Sequence, residues 1–345
     1  MPARKIPSKK ASTAVLSSSP PQSSDVPIPE GYDHLSDRYK LSALTVSHVL
    51  KLPDAPSERD ILASASSAHE LRVCTMYADE RGFFKNINSS GKIRWPVPAS
   101  SPSSSWEKVY LLVQMQLTGS ADWGNIGKSR RRELMDQKRD VFARLNKVIR
   151  CVIDVMGSRK DAVGLGNALA ILRALEAGVW DEEGKELLQV EGIGPKSAEK
   201  LQTRGVQTTK DLTGVDSGHL EMLFGRNPPF GVGMAMRMKQ FPLLTMVLTL
   251  VGRTAENDDM VVFKAALGLE NKDVPRWKGL LVKVVFWMKA KKGNKLLWFW
   301  RGGIGKLAKG TELVFGAEVV SGEEVVAYFS CEEIVGTMVS GCATA

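Results

Sequence analysis

The segment Leu187-Leu188-Gln189-Val190-Glu191-Gly192-Ile193-Gly194-Pro195-Lys196-Ser197-Ala198-Glu199-Lys200-Leu201 carries the clearest chemistry in this sequence, and that chemistry is anion binding. An apolar helix is expected to end at Val190. A second is expected to start at Pro195, whose missing N–H costs nothing in a first turn. Gly192 and Gly194 permit positive φ and let the chain approach a phosphate closely. The amides of the hairpin and of the new helix N-terminus then face outward as an anion site. Ala198 and Leu201 should pack on the partner helix, with Lys196, Lys200 and Arg204 at steps of four on the exposed side. A helix-hairpin-helix of this kind grips phosphates without reading bases, so its binding is sequence-tolerant and salt-sensitive. The candidate contacts are Gly192, Ile193, Gly194, Lys196, Lys200 and Arg204. The same unit also serves as a structural spacer, and the residue pattern accommodates both uses.

Other stretches carry less. Gly124-Asn125-Ile126-Gly127-Lys128-Ser129 imitates a phosphate-binding loop. The required glycine five residues before Gly127 is Asp122, and a helical stretch precedes it where a buried strand is needed. Arg130-Arg131-Arg132 beside it reads as a basic contact patch or a solvated loop. From Arg276 to Gly310 there are ten Lys and Arg and no acid, interleaved with Trp277, Trp287, Trp298, Phe299 and Trp300. Alternation puts some of these rings in a β-core. The turn from Lys289 to Lys295 is left to meet phosphate, an acidic protein surface or solvent. No nucleophile elbow, paired-histidine metal motif or glycine-rich dinucleotide loop occurs, so no catalytic, cofactor-binding or metal-binding residue is assigned. The four cysteines and four histidines are scattered. That argues against a disulfide framework or zinc site and suits a reducing compartment.

The elements that must hold the hairpin follow from periodicity. Residues 1–34 form a Ser-, Pro- and Lys-rich tail too poor in apolar groups to order itself. Its early basic residues give it a weak likeness to a transit or nuclear signal. Residues 35–182 read as a helical bundle. Its clearest helix runs from Arg131 to Met156, where Val141, Leu145, Val148, Ile149, Val152, Ile153 and Met156 make one apolar stripe. Lys138, Arg139, Arg144, Lys147 and Arg150 lie off that stripe as a nucleic-acid-facing ridge or a solvated face. The hairpin unit spans 183–241. After Phe241-Pro242 the period changes to two, with strands at 246–251, 260–267, 281–289, 295–301, 312–320 and 324–331. Residues 242–345 therefore read as an antiparallel β-sandwich of immunoglobulin or fibronectin type III kind.

With 345 residues, 43% apolar and 25% charged, the chain has an ordinary globular composition and room for two or three domains. Its net charge of +9 favours a polyanionic partner. No apolar run approaches the roughly 18–20 residues of a membrane span, so no membrane role is expected.

The order of these parts resembles the Sec-sixty-three-type module at the C-terminal end of Ski-two-like superfamily 2 helicases. The resemblance rests on Glu70-Leu71-Arg72 through Ile93-Arg94-Trp95-Pro96, on residues 145–154, and on Asn167-Ala168-Leu169 with Trp180. It also rests on Asn227-Pro228-Pro229-Phe230-Gly231, Phe299-Trp300-Arg301-Gly302 and Ser330-Cys331-Glu332-Glu333-Ile334-Val335-Gly336-Thr337. Together these span residues 36 to 338. The hairpin and the closing Cys331–Thr337 segment look most like the meiotic crossover DNA helicases of the MER-three type. The resemblance implies a helical bundle, a helix-hairpin-helix and an immunoglobulin-like sandwich. It further implies a nuclear role, single-stranded or branched DNA or RNA as partner, and helicase motor domains in a longer product. ATP and magnesium would belong to those motor domains, whose Walker motifs this sequence lacks. The chain is then a fragment of a longer helicase or a stand-alone module, without catalysis of its own. The alternative is a protein-interaction scaffold of a helicase or RNA-processing assembly, with a partner on the sandwich and the hairpin only joining domains.

Overall fold

The computed structural model describes residue 29 and residues 31–119, 126–182, 184–254 and 257–345. Most of the expected tail, and Gly124 and Asn125 of the loop-like motif, lie outside them. Asp33 and His34, assigned to the tail from sequence, already belong to the first helix.

Helices come first: α1 (Asp33–Tyr39), α2 (Ala43–Val49), α3 (Glu58–Ser66), α4 (Arg81–Ser89), α5 (Ser105–Leu117), α6 (Lys128–Ser158) and α7 (Ala162–Ala177). Their starts are encoded locally. Ser57 with Asp60 and Ser104 with Glu107 form capping boxes, and the Asp161 carboxylate accepts the Gly164 amide at the start of α7. The apolar stripe of α6 is buried from Val141 to Met156. Its basic flank is neither a ridge nor a solvated face as a whole. Lys138 donates to Gln116 Oε1 at 2.7 Å, Arg144 donates to the Glu70 carbonyl at 2.6 Å, and Arg150 enters an acidic cluster described below. Arg139 and Lys147 face solvent.

Four short helices follow: α8 (Pro195–Gln202), α9 (Thr209–Thr213), α10 (Ser217–Phe224) and α11 (Phe230–Met238). The chain then turns into strands β1 (Leu244–Thr254), β2 (Asn257–Leu269), β3 (Lys283–Ala290), β4 (Leu296–Gly303), β5 (Thr311–Glu318), β6 (Glu324–Cys331) and β7 (Val339–Thr344). They form two antiparallel sheets, ordered β1-β2-β5 and β4-β3-β6-β7. Phe263 and Phe315 of the first sheet meet Phe286 and Phe329 of the second in one apolar layer. β7 has no branched apolar run and was not read as a strand from the sequence. It is recruited at a sheet edge by pairing with β6, Phe329 opposite Val339.

The alternation in β3 has a different meaning from the one expected. Val284, Phe286 and Met288 face the layer between the sheets, while Val285 and Trp287 enter the core of the helical bundle. Trp287 stacks on Tyr328 of β6 at 4.4 Å between ring centroids. The aromatic rings are thus divided: Phe299 packs on the helical core, Trp300 on the layer between the sheets, and Trp298, 37% exposed, stacks on Phe315 at 4.7 Å. The turn before β4 is fixed as well. Asn294 accepts the amides of Ala162 and Val163 and donates to Asp161 Oδ1 at 2.8 Å, so it helps cap α7.

Candidate nucleic-acid interface

The hairpin is built on a single 3-10 turn, Glu186–Gln189, where the sequence suggested a longer helix. Leu187 and Val190 anchor it in the core, and the chain then turns through Gly192 at φ +92°. That value is cheap only for glycine. Gly194 departs from expectation: at φ −95° and ψ 175° it is extended. A Cβ there would meet nothing within 4 Å and the residue is exposed, so the fold itself does not require glycine at this position.

α8 starts at Pro195, with Ala198 and Leu201 buried beneath it. The Ile193 side chain is buried and its N–H donates to the Val190 carbonyl. By contrast the N–H groups of Gly192, Gly194 and Lys196 have no acceptor among the described residues. Lys196, Lys200 and Arg204 are exposed and form no ion pair among the described residues. Lys196 and Lys200 share one face of α8. Arg204 lies just beyond the helix end, its N–H bonded to the Leu201 carbonyl.

What holds the hairpin is the closing segment after β6. The Gln189 side chain donates to the Val335 carbonyl at 2.8 Å and accepts the Val335 N–H at 3.1 Å. Gly336, at φ +78°, lies so close to Glu186 that a Cβ would fall 1.8 Å from its Oε2. Glu186 Oε2 in turn accepts the Thr209 amide at 3.1 Å, tying in α9. Three residues before Val335 the same segment locks onto the bundle. Glu332, with no exposed side-chain surface, receives Arg150 of α6 on one carboxylate oxygen and Arg301 of β4 on the other at 2.5 Å. Arg301 also pairs with Asp154 at 2.9 Å, which accepts the Tyr39 hydroxyl at 2.5 Å and pairs with Arg38 at 3.0 Å. Burial pushes the Glu332 carboxyl up, but the hydrogen bond and charge of Arg301 and the charge of Arg150 outweigh it, holding the group below the ordinary carboxylate range. Its neighbour behaves oppositely. Burial, with the adjacent Glu332 charge, pushes Glu333 up to about 7 despite the Lys283 amide it accepts at 2.9 Å.

A model of the Sec63 Brl domain matches residues 34–322. The chain belongs to the Sec63 Brl-domain family. Among curated relatives of this Sec63 Brl-domain chain is the Saccharomyces cerevisiae ATP-dependent DNA helicase MER3. It is 22% identical over 313 residues, covering 88% of this chain and 26% of the relative. The Arabidopsis thaliana MER3 homologue is 21% identical over 222 residues, covering 62% of this chain and 19% of the relative. The rice homologue is 23% identical over 205 residues, covering 57% and 16%. The chain thus spans about a quarter or less of the length of these relatives.

Elsewhere in this Sec63 Brl-domain chain several of the basic candidates are committed to structure. Arg130, in the first turn of α6 and not in a loop, pairs with Asp79 at 2.9 Å and lies 4.5 Å over the Tyr77 ring. Of the turn lysines, Lys291 pairs with Glu324 at 2.8 Å and Lys295 lies 3.5 Å from Glu318. Two arginines that were not singled out, Arg226 and Arg237, sit beside the hairpin. The Arg237 guanidinium is 3.8 Å from where a Gly192 Cβ would be, and it lines an open cleft with Gly225, Arg226 and Asn227. The signal available was the Gly225-Arg226-Asn227-Pro228 turn, a helix stop followed by a restart. No group of His, Cys, Asp and Glu able to hold a metal ion occurs among the described residues. No described helix is long and apolar enough to cross a membrane.

Proposed function

We propose that this chain is a nucleic-acid-binding accessory module of a nuclear, meiotic ATP-dependent DNA helicase acting in crossover recombination. Its helix-hairpin-helix holds the backbone of single-stranded or branched DNA as the strand leaves the motor. Membership of the Sec63 Brl-domain family and likeness to helicases named MER3 support the assignment to such an enzyme. The observation that carries the binding reading is the set of unpartnered amides on Gly192, Gly194 and Lys196 at the start of α8, flanked by the free ammonium groups of Lys196 and Lys200. Orphan helix-start amides with adjacent cations form an anion site for phosphate. Ile193 serves by packing the turn, while Gly192, Gly194, Lys196, Lys200 and Arg204 face the strand. The strand order β1-β2-β5 against β4-β3-β6-β7 supports the immunoglobulin or fibronectin-III-like reading of the C-terminal half. The module hydrolyses no ATP itself. ATP and magnesium belong to motor domains in a longer product.

The test is a salt titration of the chain with labelled single-stranded and branched DNA. Dissociation constants on the order of 10⁻⁴–10⁻⁶ M are expected at physiological salt. Lys196→Gln should weaken binding evenly across sequences and lower the salt slope by about one. Gly194→Val keeps a backbone that valine can adopt, so its loss of binding would report blocked phosphate approach. No binding at low salt, or full binding by both variants, overturns the proposal. An RNA titration under the same conditions decides DNA against RNA.

The second reading, a scaffold that docks a protein on the sheets, is supported by the exposure of Val247 and Val251 on β1 and Val314 on β5. It predicts binding by a protein partner that survives Lys196→Gln.

A further inference from the structure

The acids of the hairpin region are engaged in an unusual way. Asp211 caps α9, and Asp216 caps α10. Glu186 accepts the Thr209 amide. Glu221 accepts the Gly231 amide at 2.9 Å, at the start of α11. Gly231 is what allows this, because a Cβ there would lie 1.9 Å from the Ser217 carbonyl oxygen. Each of these four carboxylates accepts a backbone amide, and among the described residues none of them pairs with Lys196, Lys200, Arg204 or Arg226. The one ion pair among the described residues of this region is a long contact, Arg237 to Glu191 at 3.8 Å. The start of α11 is therefore already filled by a carboxylate, while that of α8 is open.

The solvent side of α11 adds a second feature. Val232 and Met236, one turn apart, are 43% and 62% exposed, and Met222 of α10 is 63% exposed. Gly233 and Arg237 form the adjoining row one residue along. Gly233 has open space where a side chain would be, and with Arg226 and Arg237 it borders a cleft whose Arg237 guanidinium lies beside Gly192. Arg226, which forms no ion pair among the described residues, and Arg237, which has only the long Glu191 contact, lie beside an exposed apolar row and match a ligand carrying both phosphates and exposed base faces. Duplex DNA keeps its base faces stacked inside unless an apolar wedge pries a step apart, whereas an unpaired strand presents them directly.

We infer that the α10–α11 hairpin is a second nucleic-acid contact surface, specific for an unpaired strand. Arg226 and Arg237 take phosphates, and Val232 and Met236 lie against splayed bases. This rests on the reading of the first hairpin, and Arg237, close to Gly192, makes the two surfaces continuous.

The test uses the whole chain with a 20-nucleotide single strand and the matching duplex, read by fluorescence anisotropy over a salt series. The single strand should bind about tenfold more tightly than the duplex. Arg226→Gln and Arg237→Gln should each lower the single-strand salt slope by about 0.7. Met236→Gln should cut single-strand affinity several-fold with the slope unchanged and the duplex unaffected. All three side chains are exposed, so melting temperatures should match the parent. If Lys196→Gln weakens binding while all three variants bind normally, the inference fails and the first hairpin's role stands. Preference for duplex also overturns it. If Lys196→Gln and Gly194→Val leave binding intact, the proposed function itself fails.

Discussion

Trp287 of β3 lies against the bare backbone of Gly166 in α7, where a Cβ would come within 3.2 Å of the indole Cη2. The contact joins the β-half to the helical core. Gly166→Ala gains up to ~1 kcal/mol of helix propensity and loses a similar amount to crowding, so a melt should show little change. Gly166→Leu has no such compensation, since the leucine would occupy the space of the ring. It should destabilise the chain by about 1–3 kcal/mol or more, measured by denaturant unfolding.

Adjacent Glu332 and Glu333 should give opposite pH dependences. Glu332 titrates below its ordinary range in the folded chain, so its contribution is present above that range and is lost as pH falls through the depressed value. Glu333 is raised from about 4.5 to about 7, so the folded form holds an extra proton between those values and stability falls as pH rises through that window. The difference is at most ~3 kcal/mol. Glu333→Gln should flatten the stability profile from pH 5 to 8. Glu332→Gln should cost about 3–5 kcal/mol near neutrality by leaving Arg150 and Arg301 short of their shared partner. Urea unfolding at several pH values reads both.

Gly336 tests the support beneath the hairpin. Gly336→Ala must place a side chain at positive φ and displace the Glu186 carboxylate. A loss of about 2 kcal/mol or more is expected. Gln189→Ala leaves both Val335 backbone groups without their partner and should cost about 1–3 kcal/mol. Both should raise hydrogen exchange in residues 186–196 more than in α6, and weaken DNA binding although neither residue faces the proposed strand.

Inside the bundle, Lys108 and Glu80 form a 2.7 Å ion pair with side chains 1% and 0% exposed, and Lys108 also donates to the Thr75 carbonyl. Lys108→Met alone leaves the Glu80 carboxylate buried without its partner and should cost about 3–5 kcal/mol. The double variant Lys108→Met/Glu80→Leu should recover most of that loss. A thermal melt of the single and double variants checks the sign.

Much of this architecture was legible where the signal is local. Gly192 before Gly194-Pro195 marks a turn and helix restart because few other residues adopt the positive φ of Gly192 and Pro195 suits a first helical turn. The period of two from 281 to 289 marks a strand wherever it packs. What escaped depends on partners far along the chain. Nothing near Arg150 in sequence says that Glu332, 182 residues away, will neutralise it. Nothing in the alternation of β3 says that its second face meets helices and not water. The missing first helix of the hairpin has the same cause. Four residues suffice before Val190 because Val335 and Gly336 supply the support a longer helix would have given.

The doubly buried β3 bears on how such a chain can be divided and inherited. A cut at residue 242, the natural seam by periodicity, would strip Val285 and Trp287 from the helical core and expose that core to water. The helical and β halves are therefore poor candidates for exchange between relatives. A β-half grafted from elsewhere would have to carry side chains fitted to α7, including the ring that fills the space over Gly166. The expected evolutionary unit is the pair of cores together, with changes in β3 accompanied by changes in α7.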